Sequence, residues 1–480
     1  MKITELEEQN LQNSKKTLQE YIDETPPRPL SDMQWRLWGV AAMGKFFEGA
    51  VVFTTGVALP LIEKQYNLPA TLKGTVAAAT LFGILVGASL FGNIADRLGR
   101  KFVFVLESAL FTVFIGLAAL SWNIPALIFF LFCVGMSLGS DYPTAHIMIS
   151  EAMPSSFRGR MVLAAFSFQA LGSLGGVLVG LLMLNIYPEV GAWRWMYAIW
   201  VIPSLIVLLI RTTLPESALW LLSRDRIEDA HRSADKLLRR SVEIAPPPPK
   251  EQAPQRNFGD LFSPRYIRAT ILAAVPWLLQ DLSTYGIGIF TPSILATLFT
   301  KTEPNFILRD LAATKGSGTI DLLLVLGFAA SVPLVDWVGR IPLQIIGFIG
   351  CAAGLAIASL SAGVPAGDER TILVFVGFML FNFMTNLGPN AMTYVIAGEI
   401  FPTEIRGAGA GFAASFAKIG AVSTAFFFPI LRKNIGTSNL LHILVFTSLL
   451  GALVTFLFRI EPKGKSLETL GNGKPTFNAR

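Results

Sequence analysis

Asp96-Arg97-Leu98-Gly99-Arg100 ends one long apolar stretch of this 480-residue chain, and Asp336-Trp337-Val338-Gly339-Arg340 ends another in its second half. A second pair repeats in step. Ser150-Glu151-Ala152-Met153-Pro154 through Arg158-Gly159 is matched by Gly398-Glu399-Ile400-Phe401-Pro402 through Arg406-Gly407. Two unrelated polar motifs recurring in the same order point to an internal duplication. Parallel repeats of this kind build transporters, with the site at the interface of the halves near the bilayer midplane.

Working outward, the composition is 52% hydrophobic and 15% charged, with a mean hydropathy of +0.54, which marks an integral membrane protein. The apolar runs are roughly 20 residues long, the length of spanning helices and not of barrel strands. About twelve are expected, near 36–62, 72–95, 102–121, 124–150, 161–186, 193–212, 267–298, 317–335, 341–361, 371–397, 407–431 and 441–459. The fold class is therefore all-α and multi-pass, two six-helix bundles related by a pseudo-two-fold axis. Residues 1–34 read as a cytoplasmic tail and not a signal peptide, 35–212 as the first bundle and 213–266 as a cytoplasmic linker. That linker contains an amphipathic run from Ser223 to Arg240 and a Pro246–Pro249 tract. Residues 267–460 read as the second bundle and 461–480 as a cytoplasmic tail. The net charge of +6 reports loops retained in the cytoplasm of a cell-membrane protein and not a nucleic-acid partner, although the 299–316 loop is also basic. Cys133 and Cys351 both lie in apolar runs and imply no disulfide framework.

One span carries chemistry. In PWLLQDLSTYGIGIFTP, residues 276–292, Trp277, Asp281 and Tyr285 recur every fourth residue and share one stripe of a helix. An ionised side chain near the bilayer centre costs several kcal/mol unless it meets water or a partner, so Asp281 is a functional candidate. Glu48 lies twelve residues before Pro60, much as Asp281 lies eleven before Pro292, and is its counterpart in the first half, with Lys45 one turn away. His146 reads as a packing residue.

The motif Gly92, Asp96, Arg97, Gly99, Arg100 and Lys101, the Pro215-Glu216-Ser217 sequence and the run from Glu399 to Arg406-Gly407 resemble the major facilitator superfamily over essentially the whole chain. The resemblance implies two bundles rocking about a central cavity. It also implies cytoplasmic latches at Asp96, Arg97, Gly99, Arg100, Glu151 and Arg158, and at Asp336, Gly339, Arg340, Glu399 and Arg406. Within the superfamily, Gly139-Ser140-Asp141-Tyr142-Pro143 followed by Ser150-Glu151 is similar to the signature of phosphate:proton symporters. That similarity implies substrate contacts from Tyr142, Gln169, Trp277, Asp281, Tyr285, Asn390 and Lys418, and proton handling by Glu48, Asp141 and Asp281. The chain departs from the branch pattern at Val51, where a second first-helix Asp is usual, and at Leu131, where the fourth helix usually carries Arg.

These residue types form a coherent anion site. Tyr, Gln, Asn and Trp are neutral donors, and Lys418 supplies a positive charge. An ionised Asp281 would repel an anion by about 4 kcal/mol at roughly 4 Å and an effective dielectric near 20, so binding calls for a proton or a local cation. The expectation is a monomeric transporter that takes up inorganic phosphate with protons by alternating access, in a lipid bilayer, without cofactor or metal. An organic anion such as an aromatic carboxylate, a sugar, and a non-transporting nutrient receptor are the alternatives. No P-loop, His/Cys cluster or Ser-His-Asp arrangement suggests an enzyme.

Overall fold

The computed structural model describes residues 17–24, 28–156, 158–242, 258–298, 303–402 and 405–460, without the side chains at positions 92, 93, 96, 142 and 143. The described residues are helical apart from turns and connections, with no strand. A short helix, α1 (Leu18–Ile22), precedes α2 (Asp32–Tyr66), α3 (Ala70–Leu98), α4 (Arg100–Ala119), α5 (Ile124–Ala152) and α6 (Arg158–Ile186). The sixth span is α7 (Ala192–Ala198) continued by α8 (Val201–Thr213). Two linker helices follow, α9 (Ala218–Leu222) and α10 (Ile227–Leu238). The second half holds α11 (Ile267–Leu295), α12 (Phe306–Trp337), α13 (Arg340–Leu360), α14 (Asp368–Leu387), α15 (Pro389–Glu399) and α16 (Arg406–Phe458).

Ten helical stretches are long and apolar enough to cross a membrane. The 53-residue α16 is two such spans, because Gly436 leaves helical geometry inside it with φ 81°. The 29-residue α11 is long enough as well, its apolar run broken by Gln280, Asp281 and Ser283. Together these give the twelve spans. Two boundaries differ from the expectation. Helix α12 starts at Phe306, inside the stretch read as a loop, because Asn305 caps it by accepting from the Ile307 and Leu308 amides. The tenth span is broken between α14 and α15 at Gly388, with Pro389 opening the second piece.

The two halves pack alike: α2 on α6 and α3 on α5 in one, α11 on α16 and α12 on α14 in the other. This is the two-bundle fold. The seam between bundles is also paired, α3 running along α16 and α6 along α12, with α2 meeting α11. At the motif-bearing face Gly99 and Gly339 hold φ near +108° and +105° in the tight turns between α3 and α4 and between α12 and α13, a conformation that strains any residue with a Cβ. On the opposite half of the seam the backbones themselves touch. A methyl group at Gly56 would strike the Ile289 carbonyl of α11, and one at Gly74 the Phe426 carbonyl of α16.

Helix α10 falls within the amphipathic linker run and turns Ala230, Ala234 and Leu237 inward. With α1 and α9 it forms a separate apolar cluster including Leu18, Ile22, Leu221 and Leu222. This cluster is tied to the first bundle: Ser31 Oγ donates to the Leu237 carbonyl at 2.6 Å, and Arg239 pairs with Asp32 at 3.0 Å. Asp23 accepts from the Ser155 amide at 2.7 Å. The Pro246–Pro249 tract, residues 1–16 and the 461–480 tail lie outside the described residues.

Candidate functional site

Helices α2, α6, α11 and α16 each send one or two polar side chains to the seam at mid-depth, and these interlock. Lys418 Nζ on α16 donates to Tyr285 Oη at 2.7 Å and lies 3.4 Å from both Asp281 Oδ2 and Glu48 Oε1. Gln169 Nε2 on α6 donates to Glu48 Oε1 and to Tyr285 Oη, each at 3.2 Å. Tyr285 in turn donates to Glu48 at 3.3 Å, and Lys45 Nζ meets the other Glu48 oxygen at 3.0 Å. Glu48, Asp281 and Lys418 are 1%, 2% and 4% exposed, so these charges see each other through little solvent. Two ammonium groups face two carboxylates. Glu48, Lys45 and Gln169 belong to one bundle, Asp281, Tyr285 and Lys418 to the other, so the network staples the bundles together.

Trp277 sits one turn from Asp281 but outside these hydrogen bonds. Its ring meets Tyr394 edge-on at 6.1 Å, and Tyr394 stacks on Phe166 of the opposite bundle at 4.1 Å. His146 closes the group with Nδ1 3.0 Å from Tyr394 Oη. These aromatics link the two bundles on the motif side of Asp281, and the places of Tyr394 and Phe166 among them were not legible from spacing. Asn390, beyond the Gly388 break, donates to Asn386 within its own span at 2.8 Å and makes no hydrogen bond to this network among the described residues. The Tyr142 side chain lies outside the described residues, although α5 continues unbroken through that position.

Asp141 belongs to a different cluster. Arg211 of α8 reaches Asp141 Oδ1 at 3.0 Å and pairs with Glu107 of α4, while donating to the carbonyls of Phe104 and Val40 at 3.0 Å each. Ser140 donates to Glu107 at 2.7 Å. The sixth span thus brings a guanidinium to Asp141, about 15 Å along α5 from Leu131. The sequence signal for it was a Glu alone in one apolar run and an Arg at the end of another.

The repeated motifs pair in parallel. Arg100 meets Glu151 at 3.0 Å, and Arg340 grips Glu399 through two hydrogen bonds of 3.0 and 3.1 Å. Glu216 accepts from the Arg100 and Lys101 amides, and Ser217 donates to Glu151. Asp336 lies 3.6 Å from Arg340, Arg158 donates to Gln19 at 2.6 Å, Arg406 donates to the Phe401 carbonyl at 3.2 Å, and Arg97 is exposed. The Asp96 side chain lies outside the described residues. Arg160 on α6, missed in the sequence, bridges the bundles by pairing with Asp336 at 2.8 Å. Both are exposed, so the pair holds about 0–1 kcal/mol. Arg160→Ala is expected to shift the closed-to-open ratio of this face by no more than about fivefold, read from spin-label distances between the ends of α6 and α12.

A family model described as sugar (and other) transporter matches residues 37–472. The putative metabolite transport protein YaaU of Escherichia coli is 32% identical over 91% of this chain and 94% of its own. A probable inorganic phosphate transporter, 1-6, of Arabidopsis thaliana is 28% identical over 90% and 92%. Among solved structures, the xylose transporter XylE of Escherichia coli in a partially occluded inward-open conformation superposes with a TM-score of 0.74 at 20% identity. That match covers 91% of this chain and 100% of XylE.

Proposed function

Because the chain belongs to the sugar (and other) transporter family of the major facilitator superfamily, we propose that it moves a small oxyanion, inorganic phosphate, together with protons by alternating access. The observation that carries this reading is a single ammonium, Lys418, held at 3.4 Å from each of two carboxylates on opposite bundles. With both acids ionised the two ammonium groups are taken up by the two carboxylates, and no net positive charge is left for an approaching anion. A proton on Asp281 leaves one positive charge in excess and converts an acceptor into a donor. Proton and anion then each raise the affinity for the other, as linkage requires. The anion takes Lys418, Tyr285 and Gln169 as its partners, and in doing so releases the Glu48–Lys418 staple between bundles.

The relative named as a phosphate transporter supports this choice of substrate. The division at 213–266, a cell-membrane location and cytoplasmic termini belong to the same reading, supported by the basic residues of the motif face. An aromatic carboxylate is the second reading, favoured by the Trp277, Tyr394 and Phe166 rings beside the charged network.

The deciding measurement is uptake of labelled phosphate into proteoliposomes under an inward proton gradient, with benzoate, nicotinate and glucose as competitors. Phosphate accumulation unaffected by the three is expected; competition by benzoate or nicotinate without phosphate uptake moves the assignment to the carboxylate. Asp281→Asn, a fixed neutral donor, is expected to keep phosphate exchange while accumulation driven by the proton gradient falls at least about tenfold. Undiminished accumulation in that variant would remove Asp281 from the coupling.

A further inference from the structure

Two acids of the second bundle take no part in the network around Lys418. Asp310 and Asp321 lie on α12, each 1% exposed. Neither oxygen of Asp310 has a hydrogen-bond partner among the described residues, and neither does Ser317 Oγ, which is fully buried. Asp321 Oδ1 accepts from Asn382 Nδ2 of α14 at 2.9 Å. Asp310, Thr314, Ser317 and Asp321 follow one another at steps of four, three and four residues, so they form one continuous buried face. The neighbouring glycines give its direction. Gly316 abuts Leu295 of α11 and Phe375 of α14, whereas Gly318 abuts Val177 of the opposite bundle. Ser317 lies between these two contacts on the helix surface, about 40° round from Asp321. Beyond Asp321 the polar line continues along the tenth span: Asn386 donates to the Leu324 carbonyl at 2.9 Å, and Asn390 to Asn386 at 2.8 Å.

Depth matters as much as direction. Counting from Phe306, Asp321 is the sixteenth residue of α12; counting from Ile267, Asp281 is the fifteenth of α11. The two acids sit at about the same level, while Asp310 lies near the end of α12 away from the motif face.

No ion pair to Asp310 or Asp321 occurs among the described residues. The cations on the packed helices are engaged elsewhere or lie at the ends: Arg309, which sits over the Phe306 ring and reaches Asp310 through its charge without an ion-pair contact, Arg370 in the first turn of α14, Arg158 and Arg160 at the motif end of α6, and Arg340 on Glu399. Lys315, on α12 itself, is exposed. The titratable neighbours are Asp281 and Tyr285 on α11, Asp368 and Glu369 beside Arg370, Cys351 on α13 and Tyr394 on α15. A charged carboxylate at this depth without a partner costs several kcal/mol, and a protonated one does not.

We propose that Asp321, reached from the opposite face through Asp310 and the hydroxyls of Thr314 and Ser317, is a second proton-binding site that loads the transported proton at midplane beside the anion site. The inference rests on the proton-coupled reading above. The step is a proton transfer alone: the carboxylate gains a proton from the far compartment and gives it up towards the motif face.

The test uses the full chain in proteoliposomes, with pH-gradient-driven phosphate accumulation, phosphate exchange and an infrared titration of carboxyl groups measured side by side. Asp321→Asn is expected to keep exchange within about twofold, to lose at least tenfold in accumulation, and to delete one titrating carboxyl band. Asp310→Asn is expected to slow accumulation several-fold with exchange unchanged. Asp321→Asn with wild-type accumulation and an unchanged infrared titration overturns the proposal. Accumulation that requires sodium in the wild type and loses that requirement in Asp321→Asn also overturns it, assigning a metal cation instead. If the wild type moves no phosphate yet the carboxyl band disappears in Asp321→Asn, the substrate reading fails and the proton site stands. Should Asp321→Asn not fold, Asp310→Asn decides by the same readings.

Discussion

Lys418→Met is expected to reduce substrate uptake at least about a hundredfold and to destabilise the protein at the same time. Lys418 is the cation shared by Glu48 and Asp281, and it also donates to Tyr285 at 2.7 Å. Removing one member of a buried charge cluster costs about 3–5 kcal/mol, because the remaining charges stay buried without compensation. A loss of about 3 kcal/mol in substrate stabilisation alone accounts for a hundredfold in rate. The double variant Lys418→Met with Asp281→Asn separates the two effects. It removes one buried carboxylate along with the ammonium, so the thermal midpoint is expected to recover while uptake stays lost. Recovery of uptake in the double variant would mean that the anion does not use Lys418.

Arg211→Met is expected to be the most destabilising change in the first bundle. The guanidinium is 2% exposed and meets Glu107, Asp141 and two backbone carbonyls, with the Phe104 ring 3.5 Å below it. Methionine leaves two adjacent carboxylates buried without their counter-charge, at a cost of about 3–5 kcal/mol. Yield and thermal midpoint in detergent are expected to fall sharply. Glu107→Gln with Asp141→Asn in the same background is expected to restore both, since neutral amides carry no like-charge repulsion. Failure of that rescue would assign the loss to the carbonyl bonds and the Phe104 contact.

The spans were legible because lipid imposes one local requirement, about 20 apolar residues per crossing, and the repeat was legible because duplicated motifs keep their order. The Trp277, Asp281 and Tyr285 stripe followed from helical spacing. What spacing cannot convey is which helix faces which. Glu107 is the single charged residue of one apolar run and Arg211 closes another, and only packing brings them to Asp141. Asn390 has the residue type expected of a substrate contact, and its bond to Asn386 across the break at Gly388 could not be read from spacing. The start of α12 was hidden for a related reason: Lys315 and Arg309 made the segment read as a loop, while Asp310 and Thr314 on its inner face are buried.

The two ends of the bundle seam are held shut by different forces. Arg160 and Asp336 are exposed charges, and mobile ions screen such charges over about 8 Å at physiological ionic strength. At the other end Gly56 and Gly74 let backbones of opposite bundles touch, a contact that dissolved ions cannot weaken. Raising the electrolyte on the motif side is therefore expected to loosen the Arg160–Asp336 pair and to leave the Tyr394–Phe166 stack between the same bundles unchanged.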